Sequence, residues 1–429
     1  MQQLYNIFTQ CNGISTDTRT IETGTMFVAL KGENFDANTM VEQAFDKGAF
    51  HVLTTNVDYT GHPTVTVVDD TLVTLQQLAA YHRKKLNIPI IGITGTNGKT
   101  TTKELVAAVL RMKYNTYATK GNLNNHIGVP LSLLSIKREH EIAIIEMGAN
   151  HPREIETLAA IARPDAGVIT NVGMAHIEGF GSFDGVKATK AELYTQLKAN
   201  DGTIFINASN PHLNEMLGDY DKCFSYGTET QTAIVDGHVT EMSETLNFEW
   251  SYNNSPYIEV CTQMTGSYNL ENALAAVAIG CYYGVRRSDI CEAISTYTPT
   301  NSRSQIVVTK RNRLIMDAYN ANPSSMTASL DNFKSMKHAN KVVVLGAMRE
   351  LGAEQHAQHL AILNKLADMS LDKAYLIGAE WREFASQYPD FVYADDVSEI
   401  QQLAEQLNDK YILIKGSRSN KLERALNWL

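Results

Sequence analysis

The chain has 429 residues, of which 44% are hydrophobic and 20% charged, and its formal net charge is −10. This length predicts two to four globular domains, and the acidic balance argues against nucleic acid or an anionic membrane as a main partner. No apolar run reaches the length of a membrane span. Five scattered cysteines without a CxxC pair predict neither a disulfide framework nor a zinc site, which fits a reducing cytoplasm.

The first 85 residues predict a small α/β domain. Short apolar runs alternate with helical patterns, giving strands at 26–30, 50–54 and 64–68 and helices at 39–47 and 72–85. A polar stretch, Thr16-Asp17-Thr18-Arg19, precedes the first of these strands. Its composition favours a turn, and the alternative is a loop that grips a hydroxylated or phosphorylated ligand.

The stretch that organises the rest of the chain follows Pro89. An apolar strand at 90–94 runs into Gly95-Thr96-Asn97-Gly98-Lys99-Thr100-Thr101 and then into a helical pattern. Glycines let the backbone approach a phosphate, Lys99 adds a positive charge, and the Thr100 hydroxyl can bind Mg²⁺. The strict P-loop pattern fails because Ile93 replaces its first glycine, so a plain glycine turn is the alternative. We interpret the stretch as a nucleoside-triphosphate site.

Strands alternating with helices up to about residue 300 predict a mostly parallel sheet with ligands at the carboxyl ends of its strands. Glu146 ends the strand 142–146, where a carboxylate can bind Mg²⁺; a helix cap or surface charge is the alternative. His176 lies in a glycine-rich loop after the next strand and fits either a ligand or a structural residue. Lys190 follows on a helix, where a solvated charged face is the simpler interpretation.

Asn269 and Asn272 begin an alanine-rich helix, where asparagine usually acts as a cap; reading an adenine edge is the alternative. A polar linker after Pro299 precedes a third α/β unit. Its strands run into polar loops at 317–323, 346–352 and 415–419, and three such loops on one sheet edge predict a ligand-binding face. The predicted domains are therefore residues 1–85, 86–300 and 301–429.

With these loops in view, essentially the whole chain resembles the Mur ligase family. The resemblance depends on the short P-loop form and on the loops at 124–130, 176–182, 317–326 and 415–419. Within the family, the Asn-Ala-Asn-Pro-Ser-Ser-Met stretch resembles the members that add D-alanyl-D-alanine, and the Asp-Asn-Pro-Arg signature of the diaminopimelate-adding ligase is absent. Ser302 and Ala347 depart from the usual Gly and Asp, and Ala347 weakens any claim about polar contacts of its loop.

The resemblance implies a three-domain α/β fold, with a small N-terminal UDP-substrate domain, a central P-loop-type sheet and a C-terminal Rossmann-like domain. It implies that ATP phosphorylates the terminal carboxylate of a UDP-N-acetylmuramoyl-tripeptide, and that the amine of D-alanyl-D-alanine attacks the acyl phosphate. Two Mg²⁺ ions, a monomer and a place in cytoplasmic peptidoglycan precursor synthesis are implied as well. The third residue of the tripeptide stays open between lysine and diaminopimelate.

The resemblance also assigns expected roles to individual residues. Catalytic roles are expected for Lys99, His176, Lys190, Arg303 and Lys415. Contacts with ATP are expected from Gly95, Thr96, Asn97, Gly98, Lys99, Thr100, Thr101, Asn269, Asn272, Arg303 and Asp317. Mg²⁺ is expected at Thr100, Glu146, His176 and a carbamate on Lys190. The remaining substrate contacts are expected from Thr16, Asp17, Thr18, Arg19, Lys31, Asn124, Asn125, Tyr319, Asn320, Asn322, Ser417 and Arg418.

Three domains that share one substrate imply a closure between them, hinged near residues 299–303. The alternatives are a different ligase such as a folylpolyglutamate synthetase or another Mur enzyme, a non-catalytic nucleotide-gated binding module, and a GTPase or kinase. The stretch 320–326 disfavours the first. The joint presence of Lys99, Thr100, Glu146 and His176 disfavours the second, and the absence of an Asn-Lys-x-Asp signature disfavours a GTPase.

Overall fold

The computed structural model describes residues 1–230, 232–300 and 302–429 and contains three β-sheets flanked by helices. The predicted α/β fold with mostly parallel sheets is confirmed. The predicted first residue of the third domain, Asn301, lies outside the described residues, and the domain boundaries stay a prediction.

The first sheet has four parallel strands in the order β1-β2-β3-β4. The elements of this region are α1 (Gln2–Phe8), β1 (Gly13–Ser15), β2 (Thr25–Val28), α2 (Val41–Asp46), β3 (His51–Thr54), β4 (Val65–Val67) and α3 (Thr71–Lys85). β2 and β3 are buried along their whole length, which is why their sequences are apolar runs that could be recognised as strands. α1 and β1 contain no comparable apolar run, so the sequence did not predict them.

The second sheet has nine strands in the order β13-β12-β11-β10-β9-β8-β5-β7-β6. Its elements are β5 (Ile90–Thr94), α4 (Lys99–Arg111), β6 (Thr116–Ala118), α5 (Gly128–Leu134), β7 (Ile142–Glu146), α6 (Glu154–Ala162), β8 (Ala166–Ile169), α7 (Ile177–Phe180), α8 (Phe183–Ala199), β9 (Thr203–Asn207), α9 (Pro211–Leu217), β10 (Cys223–Thr228), β11 (Val235–Met242), β12 (Leu246–Tyr252), β13 (Ile258–Cys261), α10 (Leu270–Tyr282) and α11 (Arg287–Thr296). β5 lies between β7 and β8, so the loop after β5 emerges where the strand order reverses. Such switch points are common ligand sites.

The predicted alternation of strands and helices up to residue 300 is wrong between β10 and α10. There, β11, β12 and β13 form an antiparallel meander. Along β12, Leu246, Phe248 and Trp250 are buried, while the residues between them are partly exposed. This period of two is typical of a sheet with one buried face.

Helix α3 joins the first sheet to the second and packs against both. Leu75 and Leu78 are fully buried in a core that also contains residues of α5 and α6. At the end of α3, Arg83 forms a 2.8 Å ion pair with Asp165 and donates to the carbonyl of Ala162 at 2.9 Å. Asp165 also accepts from the amide of Ile90, the first residue of β5, at 2.7 Å. The first two sheets are therefore joined by a continuous packed interface.

The third sheet has the strand order β14-β15-β19-β16-β17-β18, parallel except for β14. Its elements are β14 (Gln305–Val308), β15 (Arg313–Asp317), α12 (Pro323–Ser335), β16 (Lys341–Gly346), α13 (Gln355–Ala367), β17 (Lys373–Ile377), β18 (Val392–Ala394), α14 (Gln401–Ala404) and β19 (Tyr411–Lys415). β15, β19 and β16 are neighbours, so their following loops meet at one edge, as the sequence predicted. Among the described residues, no helix has the length and apolar character needed to cross a membrane.

Candidate active site

The loops at the carboxyl ends of the second and third sheets share one cleft of about 1460 Å³, which is larger than a typical small-ligand pocket. The predicted site residues that line it are Thr96, Asn97, Gly98, Lys99, Thr100, Thr101, Asn124, Asn125, Glu146, His176, Asn269, Asn272, Arg303, Asp317, Tyr319, Asn320, Asn322, Lys415 and Arg418. The predicted residues outside its lining are Gly95, Lys190, Ser417 and, in the first domain, Thr16, Asp17, Thr18, Arg19 and Lys31.

The P-loop between β5 and α4 is held by its neighbours. Gly98 has φ +77°, and a Cβ there would lie 2.3 Å from Asn272 Oδ1, so both the conformation and the space require glycine. Lys99 Nζ donates to the carbonyls of Gly95 at 2.8 Å and Thr96 at 3.0 Å. Burial lowers the pKa of Lys99 to about 8, opposed by the charge of Glu146 and reinforced by that of Arg303. The loop thus presents a shielded cation to the cleft.

Glu146, at the end of β7, is 1% exposed and lies beside the P-loop. Its Oε1 accepts from Thr100 Oγ1 at 3.2 Å and from Asn124 Nδ2 at 2.8 Å. Its Oε2 has no hydrogen-bond partner among the described residues and lies 3.8 Å from Lys103 Nζ. A buried carboxylate oxygen without a donor, next to a hydroxyl, suits a hard cation such as Mg²⁺.

The described residues contain no group of three or more His, Cys, Asp and Glu side chains that could hold a metal. Mg²⁺ does not require one, because it is often bound by one or two carboxylates together with substrate phosphates and water.

Two residues close to the Glu146 carboxylate have roles that the sequence did not predict. Asn124, expected to contact substrate, orients the carboxylate, and Lys103, which donates to the carbonyl of Thr119 at 2.9 Å, was not identified. Asn125 Oδ1 accepts from the amide of Gly128, the first residue of α5, at 2.9 Å.

His176 precedes α7 with φ +52° and bonds through Nδ1 to the carboxylate of Glu350. Glu350 belongs to the loop after β16, so this contact joins the second and third sheets across the cleft. Burial lowers the pKa of His176; Glu350 opposes this shift, and Lys99 and Lys190 add to it. Sequence reasoning missed Glu350 because nothing in its local pattern points to a histidine 174 residues away.

Lys190, on α8, is 3% exposed, so the interpretation as a solvated charged face is wrong. Its Nζ lies 5.4 Å from the centre of the Phe180 ring. Burial, reinforced by the charge of Lys99, lowers the pKa of Lys190 to about 7, although Glu154 and Glu192 oppose the shift. A large share of this amine is therefore neutral at pH 7.

Asn269 and Asn272 are 2% and 6% exposed, and their amides bond within the protein. Asn269 Nδ2 donates to the carbonyl of Thr265 at 2.8 Å and to Ser304 Oγ at 3.0 Å. Asn272 Nδ2 donates to Asn269 Oδ1 at 2.9 Å, and its Oδ1 accepts from Thr102 Oγ1 at 3.0 Å. These bonds hold the start of α10 against the P-loop helix α4, and the expected adenine contacts stay a prediction.

The third domain brings further charged groups to the cleft. Lys415 Nζ lies 2.6 Å from Asp317 Oδ2 and 3.4 Å from the carbonyl of Asn320. The Arg303 guanidinium lies 3.8 Å from the centre of the Tyr319 ring, and that of Arg418 lies 5.4 Å from it. Among the described residues, Arg303 Nε is buried without a hydrogen-bond partner. Two guanidinium groups facing one ring in this cleft form a positive surface suited to an anionic ligand.

Ser417 and Asn322 are two further third-domain residues for which a substrate contact is expected. Ser417 Oγ is buried without a hydrogen-bond partner among the described residues. Asn322 caps α12 and donates to Asn97 of the P-loop. Their expected substrate contacts stay predictions.

The first-domain loop forms the turn that its composition favours. Asp17 accepts from the amide of Arg19 at 2.9 Å and forms a 2.6 Å ion pair with its side chain, which is 87% exposed. Lys31 lies 3.5 Å from Asp36. These groups are outside the cleft, and their expected role at the UDP end stays a prediction. The expected closure near residues 299–303 also stays a prediction, which small-angle scattering with and without both substrates can check.

Comparison with known proteins agrees with this arrangement. A model of the Mur ligase middle domain matches residues 93–280, and one of the Mur ligase, glutamate ligase domain matches residues 302–418. A UDP-N-acetylmuramoyl-tripeptide–D-alanyl-D-alanine ligase from Bacillus subtilis is 35% identical over 97% of this chain and 93% of its own length.

Solved structures extend the likeness to three dimensions. The crystal structure of MurF from Acinetobacter baumannii matches with a TM-score of 0.88 and 29% identity, covering 99% of this chain and 97% of that chain. MurF from Thermotoga maritima in complex with ADP matches with a TM-score of 0.86 and 26% identity, at the same coverage. The chain therefore belongs to the Mur ligase family, among its UDP-N-acetylmuramoyl-tripeptide–D-alanyl-D-alanine ligases.

Proposed function

We propose that the protein joins the terminal carboxylate of a UDP-N-acetylmuramoyl-tripeptide to the amine of D-alanyl-D-alanine and converts ATP to ADP and phosphate. The observation that carries this proposal is the shared cleft, in which the P-loop of the second sheet faces the cationic loops of the third. The named activity of relatives that align over nearly the whole chain supports it.

The chemistry needs the two faces of this cleft together. A carboxylate has no leaving group that an amine can displace, so the γ-phosphoryl group of ATP is first transferred to a carboxylate oxygen. The amine nitrogen then attacks the carbonyl carbon, the amide bond forms, and phosphate leaves. Lys99, Arg303 and Arg418 supply positive charge where the phosphoryl group moves, which is the main contribution a protein can make to such a transfer.

Mg²⁺ fits the pair of Thr100 and Glu146, because Glu146 Oε2 is buried without a donor among the described residues. When bound, the ion would neutralise phosphate charge. A second ion would be held by His176 and a carbamate on Lys190.

The low pKa of Lys190 supports the carbamate. A neutral amine can add to CO₂ with loss of one proton, and this lysine has a pKa of about 7. The resulting carbamate is an anion that can bind a metal ion, whereas the protonated amine is a cation that cannot. A nuclear magnetic resonance signal from ¹³C-labelled CO₂ that disappears in Lys190→Ala tests this modification.

The remaining substrate groups are assigned to the outer parts of the cleft and to the first domain. Tyr319, Asn320, Ser417 and Arg418 are proposed to face D-alanyl-D-alanine. The 16–19 turn and Lys31 are proposed to bind the UDP end. We place the reaction in the cytoplasm, where ATP is available; the five free cysteines suit that reducing compartment.

The deciding experiment measures ADP formation with UDP-N-acetylmuramoyl-tripeptide and a series of amine acceptors. We expect turnover with D-alanyl-D-alanine and none when either the tripeptide or the dipeptide is omitted. Turnover with glutamate in its place would identify a different ligase on the same fold. ATP binding without turnover under any acceptor would favour a binding module.

A further inference from the structure

The first turn of helix α12, in the third domain, contacts the P-loop of the second domain. Asn322 Nδ2 donates to Asn97 Oδ1 at 2.8 Å, across 225 residues of sequence. Asn322 is 6% exposed, so this hydrogen bond is largely shielded from water. Removing one partner of such a shielded hydrogen bond is destabilising, because water cannot reach the remaining polar group to replace the lost partner.

The two ends of the Asn322 amide serve different domains. The side-chain Oδ1 accepts from the backbone amide of Ser325 at 2.9 Å, and the backbone amide of Asn322 donates to Ser325 Oγ at 3.1 Å. These two bonds form a capping box on α12. The cap fixes the orientation of the side chain. Because Oδ1 is committed to α12, Nδ2 points away from the helix and towards Asn97.

The backbone of Asn97 is held from within the second domain. Its amide donates to Asn171 Oδ1 at 2.9 Å, and its carbonyl accepts from Thr170 Oγ1 at 2.6 Å. Within the part of the chain that the structure describes, the Asn97 side chain has Asn322 as its hydrogen-bond partner. The third domain therefore supplies the contact that the second domain does not give to this P-loop side chain.

A second contact places the same helical turn. Ser324 Oγ accepts from the amide of Met174 at 3.2 Å, in the loop after β8. A Cβ on Gly173 would lie 3.0 Å from that hydroxyl oxygen, so the helix and the loop approach closely. The first turn of α12 thus touches the loops that follow β5 and β8, on one side of the cleft.

We propose that Asn322 is a positioning residue, which couples the docked third domain to the P-loop through Asn97. The P-loop then takes its reactive arrangement around the ATP phosphates only when the domain that presents the amine acceptor is in place. This role rests on the ATP-dependent ligation proposed above and replaces the expected direct contact of Asn322 with substrate. This coupling would also limit phosphoryl transfer from ATP while the third domain is not docked.

The test is a double-mutant cycle on Asn322→Ser and Asn97→Ala. Serine keeps a capping oxygen and lacks the amide donor, so α12 should stay capped. We expect kcat to fall about 5- to 20-fold in each single variant, with KM for D-alanyl-D-alanine changed less than about twofold. The double variant should be no slower than the slower single variant, because the same bond is lost in all three.

Two outcomes would overturn this role. A higher KM for the dipeptide at unchanged kcat would make Asn322 a direct substrate contact, and losses that multiply in the double variant would make the two residues independent. If Asn322→Ser unfolds, Asn97→Ala provides the test by itself, because it leaves the cap of α12 untouched. An unchanged kcat in Asn97→Ala would contradict the coupling. Wild-type enzyme measured alongside separates the two proposals: no acceptor-dependent ADP formation in it contradicts the ligase activity itself.

Discussion

Lys415 and Asp317 form a 2.6 Å ion pair at the ends of neighbouring strands β19 and β15. Their side chains are 3% and 15% exposed. The pair joins the two loops that carry most of the third domain's predicted site residues. Lys415 therefore has a structural role beside the catalytic role assigned to it.

Replacing Lys415 with methionine should destabilise the protein, because it leaves the largely shielded Asp317 carboxylate without its cation. We expect the free energy of unfolding to fall by about 3 kcal/mol in Lys415→Met. The double variant Asp317→Asn/Lys415→Met should recover most of that loss, since no buried charge remains. Denaturant unfolding of the wild type and both variants measures this, and equal losses in the single and double variants would contradict it.

Removing the P-loop ammonium should stop chemistry without unfolding the protein. In Lys99→Ala we expect ADP formation to fall about 100- to 1000-fold, because the developing phosphate charge loses the cation of the P-loop. The hydrogen bonds of Lys99 go to Gly95 and Thr96 in its own loop, so the melting temperature should change little. Lys84→Ala, at an exposed position of α3, is the matched control. Full activity in Lys99→Ala would refute the P-loop assignment.

Tyr319 should matter through its ring and not through its hydroxyl. The ring faces the guanidinium groups of Arg303 and Arg418, and such contacts contribute about 0.5–2 kcal/mol each. We expect Tyr319→Phe to behave as wild type and Tyr319→Leu to raise KM for ATP about 3- to 20-fold. Steady-state kinetics of the two variants distinguish the roles. Equal impairment in both would show that the hydroxyl contacts substrate.

His359 should make stability depend on pH. Its Nε2 accepts from the amide of Met348 at 3.2 Å, and its Nδ1 bonds to the carbonyl of Gln355 at 2.8 Å, so the ring is held neutral. Burial lowers the pKa of His359. Below about pH 6.5 the unfolded chain binds a proton that the folded protein does not, so the free energy of unfolding should fall as pH falls.

The measurement compares wild type with His359→Gln between pH 7.5 and pH 5. Below pH 6.5, we expect the free energy of unfolding of the wild type to fall by up to about 1.4 kcal/mol per pH unit more than that of His359→Gln. His51 and His82, whose pKa values burial also lowers, contribute equally to both proteins and cancel. Parallel stability curves would show that His359 does not titrate in this range. The effect bears on the site because the loop that His359 holds also carries Glu350.

The sequence predicted the parallel strands well and the antiparallel ones badly. β5 and β7 match their predicted bounds because each is an apolar run buried between layers of helices. The meander β11–β13 was missed because its buried residues alternate with polar ones and form no such run. Polar loops after parallel strands also led correctly to the cleft lining, since topology brings those strand ends together.

What local patterns could not reveal is which side chains already have partners. The sequence predicts Asn269 and Asn272 as helix caps or adenine contacts, whereas in the structure both side-chain amides bond to neighbouring side chains of the protein. Asn97 and Asn322 lie 225 residues apart, and their contact exists only after two domains have docked. Such pairs depend on tertiary structure and leave no periodicity in the sequence.

The interface made by helix α3 has a consequence for how substrate length is selected. Because Arg83 ties this helix to Asp165 beside β5, the first domain and the P-loop should move as one body. With the UDP end of the substrate bound in the first domain, as proposed above, the distance from that end to the P-loop would be fixed. Peptides one residue shorter or longer would present their terminal carboxylate short of that site or beyond it.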